Sequence, residues 1–176
     1  MRVFITHDIK TPKGGFSLIE MLVVTAMLAG ISMAIMPVYV STMNGIRLRN
    51  ARNDLIASIR FAQEMAVRES REYRVYFDPG ENQYRIARLA GLENDEKVFE
   101  PAEALGGGVR ELPEYLEMDR LTAPRDRHTR EYYITCLPNG ASTQATIRLR
   151  DTRSRQARFE ITVEGPMGKV TLKEPR

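Results

Sequence analysis

Hydrophobic and polar positions divide the chain into stretches of different periodicity. From Phe16 to Val40, twenty-five residues carry one charge, Glu20. The run is apolar all round and lacks the polar stripe of a globular surface helix. At about 1.5 Å of rise per residue it can cross a hydrocarbon layer of about 30 Å with some tilt. An acid at the centre of a membrane costs roughly 2.5–3.5 kcal/mol, and less near the interface. Glu20 lies about one turn inside the run. There it either snorkels to the headgroups or meets a cation from another chain.

Beyond Val40 the pattern becomes one-sided. Leu48, Ala51, Leu55, Ile59, Ala62 and Ala66 recur at steps of three and four, one face of an α-helix. Arg49, Arg52, Asn53, Arg60, Gln63 and Glu64 fall largely elsewhere. The two patterns together predict one helix from about Phe16 to Arg71, about 85 Å long if straight. Gly30, Pro37 and Gly45 are its candidate bend points.

The period then shortens to that of strands. Tyr73–Asp78 is rich in β formers, Pro79–Asn82 is a turn, and Gln83–Leu89 alternates polar with apolar, predicting an antiparallel hairpin. Residues 90–130 hold glycines, prolines and many acids, and predict loops with short strands near Val109–Leu112 and Tyr115–Met118. Glu131–Leu137 reads as a strand and Pro138-Asn139-Gly140 as a turn. Ala145–Arg150 places Ile147 and Leu149 on one face, and Phe159, Ile161 and Val163 form the next inward set. Gly165-Pro166-Met167-Gly168 turns the chain into a closing strand, Lys169–Leu172. One long helix packed against antiparallel sheet is an α+β architecture.

Charge refines this picture. The formal net charge is only +3, but residues 81–119 carry ten acids against four bases and residues 120–158 nine arginines against three acids. These halves either neutralise one another, across the fold or across a subunit contact, or remain solvated. Cys136 is the sole cysteine, which excludes an intrachain disulfide. Its strand-like surroundings predict a core position, with a reactive thiol or an intermolecular disulfide as the alternatives.

The residues that open the apolar run, Lys13-Gly14-Gly15-Phe16-Ser17-Leu18-Ile19-Glu20-Met21, follow a short basic leader. This composite resembles the class III signal of type IV pilins and type II secretion pseudopilins. The resemblance implies that prepilin peptidase cuts between Gly15 and Phe16 and methylates the new amine of Phe16. It makes Glu20 the fifth residue of the mature chain, with a role in assembly through a neighbour's N-terminal amine. It also places Pro37 where the family carries a helix-bending proline. An ordinary secretory signal accounts for the leader and the apolar run but not for the acid, and no small-x-small site follows near Pro37-Val38-Tyr39. Loop charge does not settle orientation, because Arg47, Arg49 and Arg52 follow the run about as closely as the leader bases precede it. The family resemblance implies a single pass through the bacterial inner membrane, with a cytoplasmic N-terminus and a periplasmic C-terminal domain. The domain plan is then a leader at 1–15, a transmembrane half-helix at 16–40, an amphipathic half at 41–72 and a β domain at 73–176.

A second resemblance covers residues 131–172. A strand, a Pro-x-Gly turn, two further strands and a late glycine before the last one are similar to the C-terminal part of the GspH/FimT group. The implied function is structural: a minor pseudopilin of a type II secretion system, assembled with other pseudopilins, without catalysis or cofactor. The alternative is a FimT-like minor type IV pilin that binds DNA for uptake. The chain departs from many major type IV pilins in lacking a disulfide-closed C-terminal loop.

The chemistry of the remaining residues fits this reading. His7 lies in the leader and His128 among arginines in a predicted loop, so neither has a nucleophile or metal-ligand spacing beside it. Arg148, Arg150, Arg153, Arg155 and Arg158 form an arginine-rich hairpin, with Arg148 and Arg150 facing outward and Arg153 and Arg155 at the turn. Such a cluster grips phosphates or an acidic partner subunit, or stays solvated. Some FimT-type pilins bind DNA during uptake through a glycine-arginine-rich C-terminal motif. The nearest match here, Gly168-Lys169-Val170-Thr171, keeps one base, and no aromatic residue interleaves with the cluster for stacking.

Overall fold

The computed structural model describes residues 17–102, 108–153 and 158–173. It contains one helix, α1 (Leu18–Glu69), and nine strands among the described residues. These are β1 (Tyr73–Asp78), β2 (Gln83–Glu93), β3 (Glu96–Pro101), β4 (Arg110–Glu111), β5 (Leu116–Thr122), β6 (Tyr132–Cys136), β7 (Ala145–Asp151), β8 (Arg158–Val163) and β9 (Val170–Lys173). The chain divides into two compact units, Met1–Gly45 and Ile46–Arg176, and α1 contributes to both.

In the first unit the side chains of α1 are exposed wherever they are described up to Val40, with Leu18 at 84% and Met33 at 78%. The helix is long and apolar enough to cross a membrane. Three of its hydroxyls bond within the helix. Ser32 donates to Leu28 O at 2.8 Å, Thr42 to Val38 O at 2.9 Å, and Thr25 to Met21 O. Hydroxyls that bond one turn back leave nothing unpaired for an apolar surrounding to penalise. Helical structure continues unbroken through Gly30, Pro37 and Gly45.

In the second unit the predicted face of α1 is the buried one. Leu55, Ile59, Ala62 and Ala66 are fully enclosed, and Leu48 and Ala51 nearly so. Two antiparallel sheets complete the core. The first runs β3-β2-β1-β6, with β4 also paired to β2; the second runs β5-β7-β8-β9. Alternation decides which side chains face inward. Tyr73, Val75 and Phe77 of β1, Ile134 and Cys136 of β6, and Ile147, Leu149, Ile161 and Val163 of β7 and β8 join α1 in one apolar cluster.

The β1–β2 hairpin forms as predicted, with Val75 opposite Ile86 and Phe77 opposite Tyr84. Asp78 closes its turn by accepting from the Gly80 amide at 2.9 Å. Two segments depart from the sequence expectation. Residues 90–101 are not loop: β2 continues to Glu93 and pairs with β3 through Leu92↔Lys97 and Glu93↔Glu96. The turn residues Asn94 and Asp95 both have positive φ, 51° and 64°, the geometry of a two-residue hairpin turn. This arm is exposed on both faces, so its sequence lacks the alternation that burial imposes. The strand expected at Tyr115–Met118 starts at Leu116 and runs on to Thr122, past a register shift between Met118 and Arg120 that breaks its alternation.

Candidate assembly surfaces

Glu20 lies in the first turn of α1, with its side chain exposed. The Glu20 amide donates to Ser17 O at 3.1 Å and the Met21 amide to the same oxygen at 3.2 Å. The free amides of a first turn favour a carboxylate, which is a local reason for an acid at this end of an apolar helix. Gly15 and Phe16, the residues of the expected cleavage, lie outside the described residues.

The arginine-rich hairpin proves to be largely neutralised. Arg148 Nη2 donates to Glu160 Oε2 at 2.9 Å across β7–β8, and Arg150 Nη2 to Glu117 Oε2 at 2.6 Å across β5–β7. Arg153 turns back onto the buried Asp151, with Nε and Nη2 each 3.1 Å from a carboxylate oxygen. Its guanidinium also lies 3.8 Å from the centre of the Tyr115 ring. Burial favours the protonated Asp151 carboxyl, but hydrogen bonds from the Arg153 side chain and amide outweigh it, holding the group below the usual carboxylate range. Arg158 is exposed on β8, and Arg155 lies outside the described residues. The five arginines therefore do not form one free cationic cluster. Arg148 and Arg150 face outward as predicted, but they and Arg153 hold acids of the same chain.

Sequence reasoning missed a second group of cations. Arg74, on the outward face of β1, is sandwiched between the rings of Phe99 (3.9 Å) and Tyr133 (4.3 Å). Arg85 lies 4.3 Å over Tyr76 and pairs with Glu131. These contacts bury Tyr76 to 4% exposure although it points away from the helix. Lys97 pairs with the buried Glu72, which also lies 3.5 Å from Arg74. The signal for this cluster lies in strand pairing and not in any local motif. His128 is not isolated, since its Nε2 lies 3.6 Å from Glu96 Oε2. Among the described residues no group of three or more His, Cys, Asp or Glu side chains is arranged to hold a metal ion.

A long apolar helix whose later turns are roofed by antiparallel sheets defines a pilin-like protein. The solved structure of the minor pseudopilin EpsH from the type II secretion system of Vibrio cholerae matches 72% of this chain and 94% of its own, with a TM-score of 0.53 at 16% identity. The type IV minor pilin FimU of Pseudomonas aeruginosa matches 73% of this chain and 97% of its own, with a TM-score of 0.50 at 15% identity. At such identities both likenesses show the fold. In sequence, the type II secretion system protein H of Xanthomonas campestris pv. campestris is 28% identical over 158 residues, covering 89% of this chain and 80% of that protein. The model of the type II transport protein GspH matches residues 51–165. The chain belongs to the GspH family, and its function is that of a minor pseudopilin of type II secretion. That family is one of structural subunits.

Proposed function

We propose that the chain is a non-catalytic subunit of the periplasmic pseudopilus, released from its leader by prepilin peptidase and held to other pseudopilins through α1. The GspH match carries this reading, supported by a helix whose apolar half is exposed in a single chain. Such a surface is stable in only two surroundings, lipid and the helices of other subunits, and a pseudopilin passes from the first to the second. Cleavage falls between Gly15 and Phe16, and the methylated amine is that of Phe16. The N-terminus is cytoplasmic and the folded unit periplasmic, anchored in the inner membrane until assembly. Glu20 pairs with the Phe16 amine of a neighbouring subunit, where scarce water strengthens attraction and offsets part of the desolvation.

Mass spectrometry of the membrane-extracted protein tests the processing. The mature chain begins at N-methyl-Phe16, and a bulky residue in place of Gly15 leaves the leader attached. A mature chain beginning after Val40 overturns the proposal.

A further inference from the structure

The outward face of the second sheet carries like charges that fold stability does not call for. Register arranges this face in rows. One row is Thr122, Thr146, Thr162 and Thr171, on β5, β7, β8 and β9 in turn. The next is Arg120, Arg148, Glu160 and Lys173, and a third holds Glu117, Arg150 and Arg158. Like charges directly opposite one another destabilise a sheet. Here Arg120 faces Arg148 and Arg150 faces Arg158. Glu160 and Glu117 relieve Arg148 and Arg150. Arg120 and Arg158 are exposed and have no ion-pair partner among the described residues. Asp119, at the register shift beside Arg120, is close enough to Arg150 to act on its charge, and Arg158 has no such acid next to it in its row.

We propose that this face docks an acidic segment of another pseudopilin subunit. The inference rests on the pseudopilin reading and names the contact that the folded unit makes. Arg120, Arg158 and the exposed Lys173 supply the cations. Thr122, Thr146 and Thr162 supply hydroxyls that bond a partner without the desolvation cost of a charge, while Thr171 Oγ1 already donates to Thr162 O at 3.3 Å. The same pattern disfavours nucleic acid. Glu117 and Glu160 lie among the cations and repel a uniformly charged phosphate backbone, whereas a polypeptide can set a base opposite each. The three rows contain no aromatic ring on which a base could stack.

The test uses the full-length chain in membranes that contain the other pseudopilins of its own secretion system. One photo-cross-linking residue replaces Thr162, on β8 in the threonine row next to the charged rows. Another, in a separate variant, replaces Leu28 and reports incorporation through α1. The Thr162 probe gives an adduct with another pseudopilin, on a peptide rich in Asp and Glu. The adduct falls at least about tenfold when Arg120→Glu and Arg158→Glu are combined, and it weakens as salt rises. The same double substitution leaves the melting temperature of the purified chain unchanged or raises it, because each change turns an Arg–Arg opposition into an Arg–Glu pair. Leu28 adducts without Thr162 adducts overturn the docking surface and leave the pseudopilin reading intact. Absence of both overturns that reading as well. A Thr162 adduct that survives the double substitution, or a melting temperature that falls by several degrees, returns the arginines to the fold. Salt-sensitive binding of a linear DNA duplex, lost in the same variant, replaces the acidic subunit with nucleic acid.

Discussion

Cys136 is fully buried, and burial pushes its thiol up to about 12 against an opposing hydrogen bond with Ser142. The thiolate is the reactive form, so alkylation of the native protein is slow and becomes fast only on unfolding. Cys136→Ala destabilises by on the order of 1–2 kcal/mol, read from denaturant unfolding. Rapid native labelling contradicts the core placement. Asp151 sets the behaviour in acid. Its carboxyl is held below its ordinary value in the folded state, so its contribution is fully present above the usual carboxylate range. That contribution is lost as pH falls through the lower, folded value. Thermal melts between about pH 2 and pH 7 should show Arg153→Gln destabilised at neutral pH, with the difference from the parent closing below about pH 4. A constant difference at every pH would mean that the Arg153–Asp151 bonds do not carry the effect.

The elements are tied together at a few close approaches. Gln63 of α1 donates from Nε2 to Ser142 Oγ at 2.9 Å and to Gly168 O at 2.6 Å, joining the helix to the two turns that flank β7 and β9. Gly168 has a φ of 59°, and a Cβ there would lie 2.5 Å from Gly140 O, a backbone atom that cannot swing aside. Gly168→Ala therefore combines strain with a clash and lowers stability by about 1–3 kcal/mol. Gly91 lies in the exposed β2–β3 arm with nothing near its Cβ position. Gly91→Ala is neutral or slightly stabilising, and comparing the two melts separates close packing from chain flexibility. The arm itself depends on its positive-φ turn at Asn94-Asp95 and on pairing, with little burial behind it.

For the whole molecule, the two units answer to different surroundings. Residues 46–176 contain the entire apolar cluster, so this fragment should express in soluble form and melt in one cooperative transition. It should fail to restore secretion to a strain lacking the full chain, because it has no apolar helix to pack in the fibre. Glu20→Ala acts on the other unit. The variant is made, cleaved and stable, yet its cross-linking to other pseudopilins falls severalfold. Unchanged cross-linking and unchanged secretion leave Glu20 as a first-turn acid with no part in assembly.

The sequence alone determined the features that follow from strong local periodicity. The apolar run was legible from its unbroken lack of polar residues; the helix face from Leu48 to Ala66, the β1–β2 hairpin and the inward positions of β7 and β8 were legible because burial on one side writes a repeat of 3.6 or 2 into the chain. The Gly15-Phe16-Glu20 composite was legible as a family signal, and it still awaits its chemical test. The tertiary structure decided what periodicity does not encode. The β2–β3 arm has no buried face, so nothing in its composition separated it from a loop. The extra residue in β5 inverted its alternation and hid Arg120. The meaning of the arginines depended on strand register, which set Glu160 and Glu117 beside Arg148 and Arg150 and left Arg120 and Arg158 facing like charges. Pairing joins residues far apart in the chain, and an ion pair across strands exists only once that register is formed.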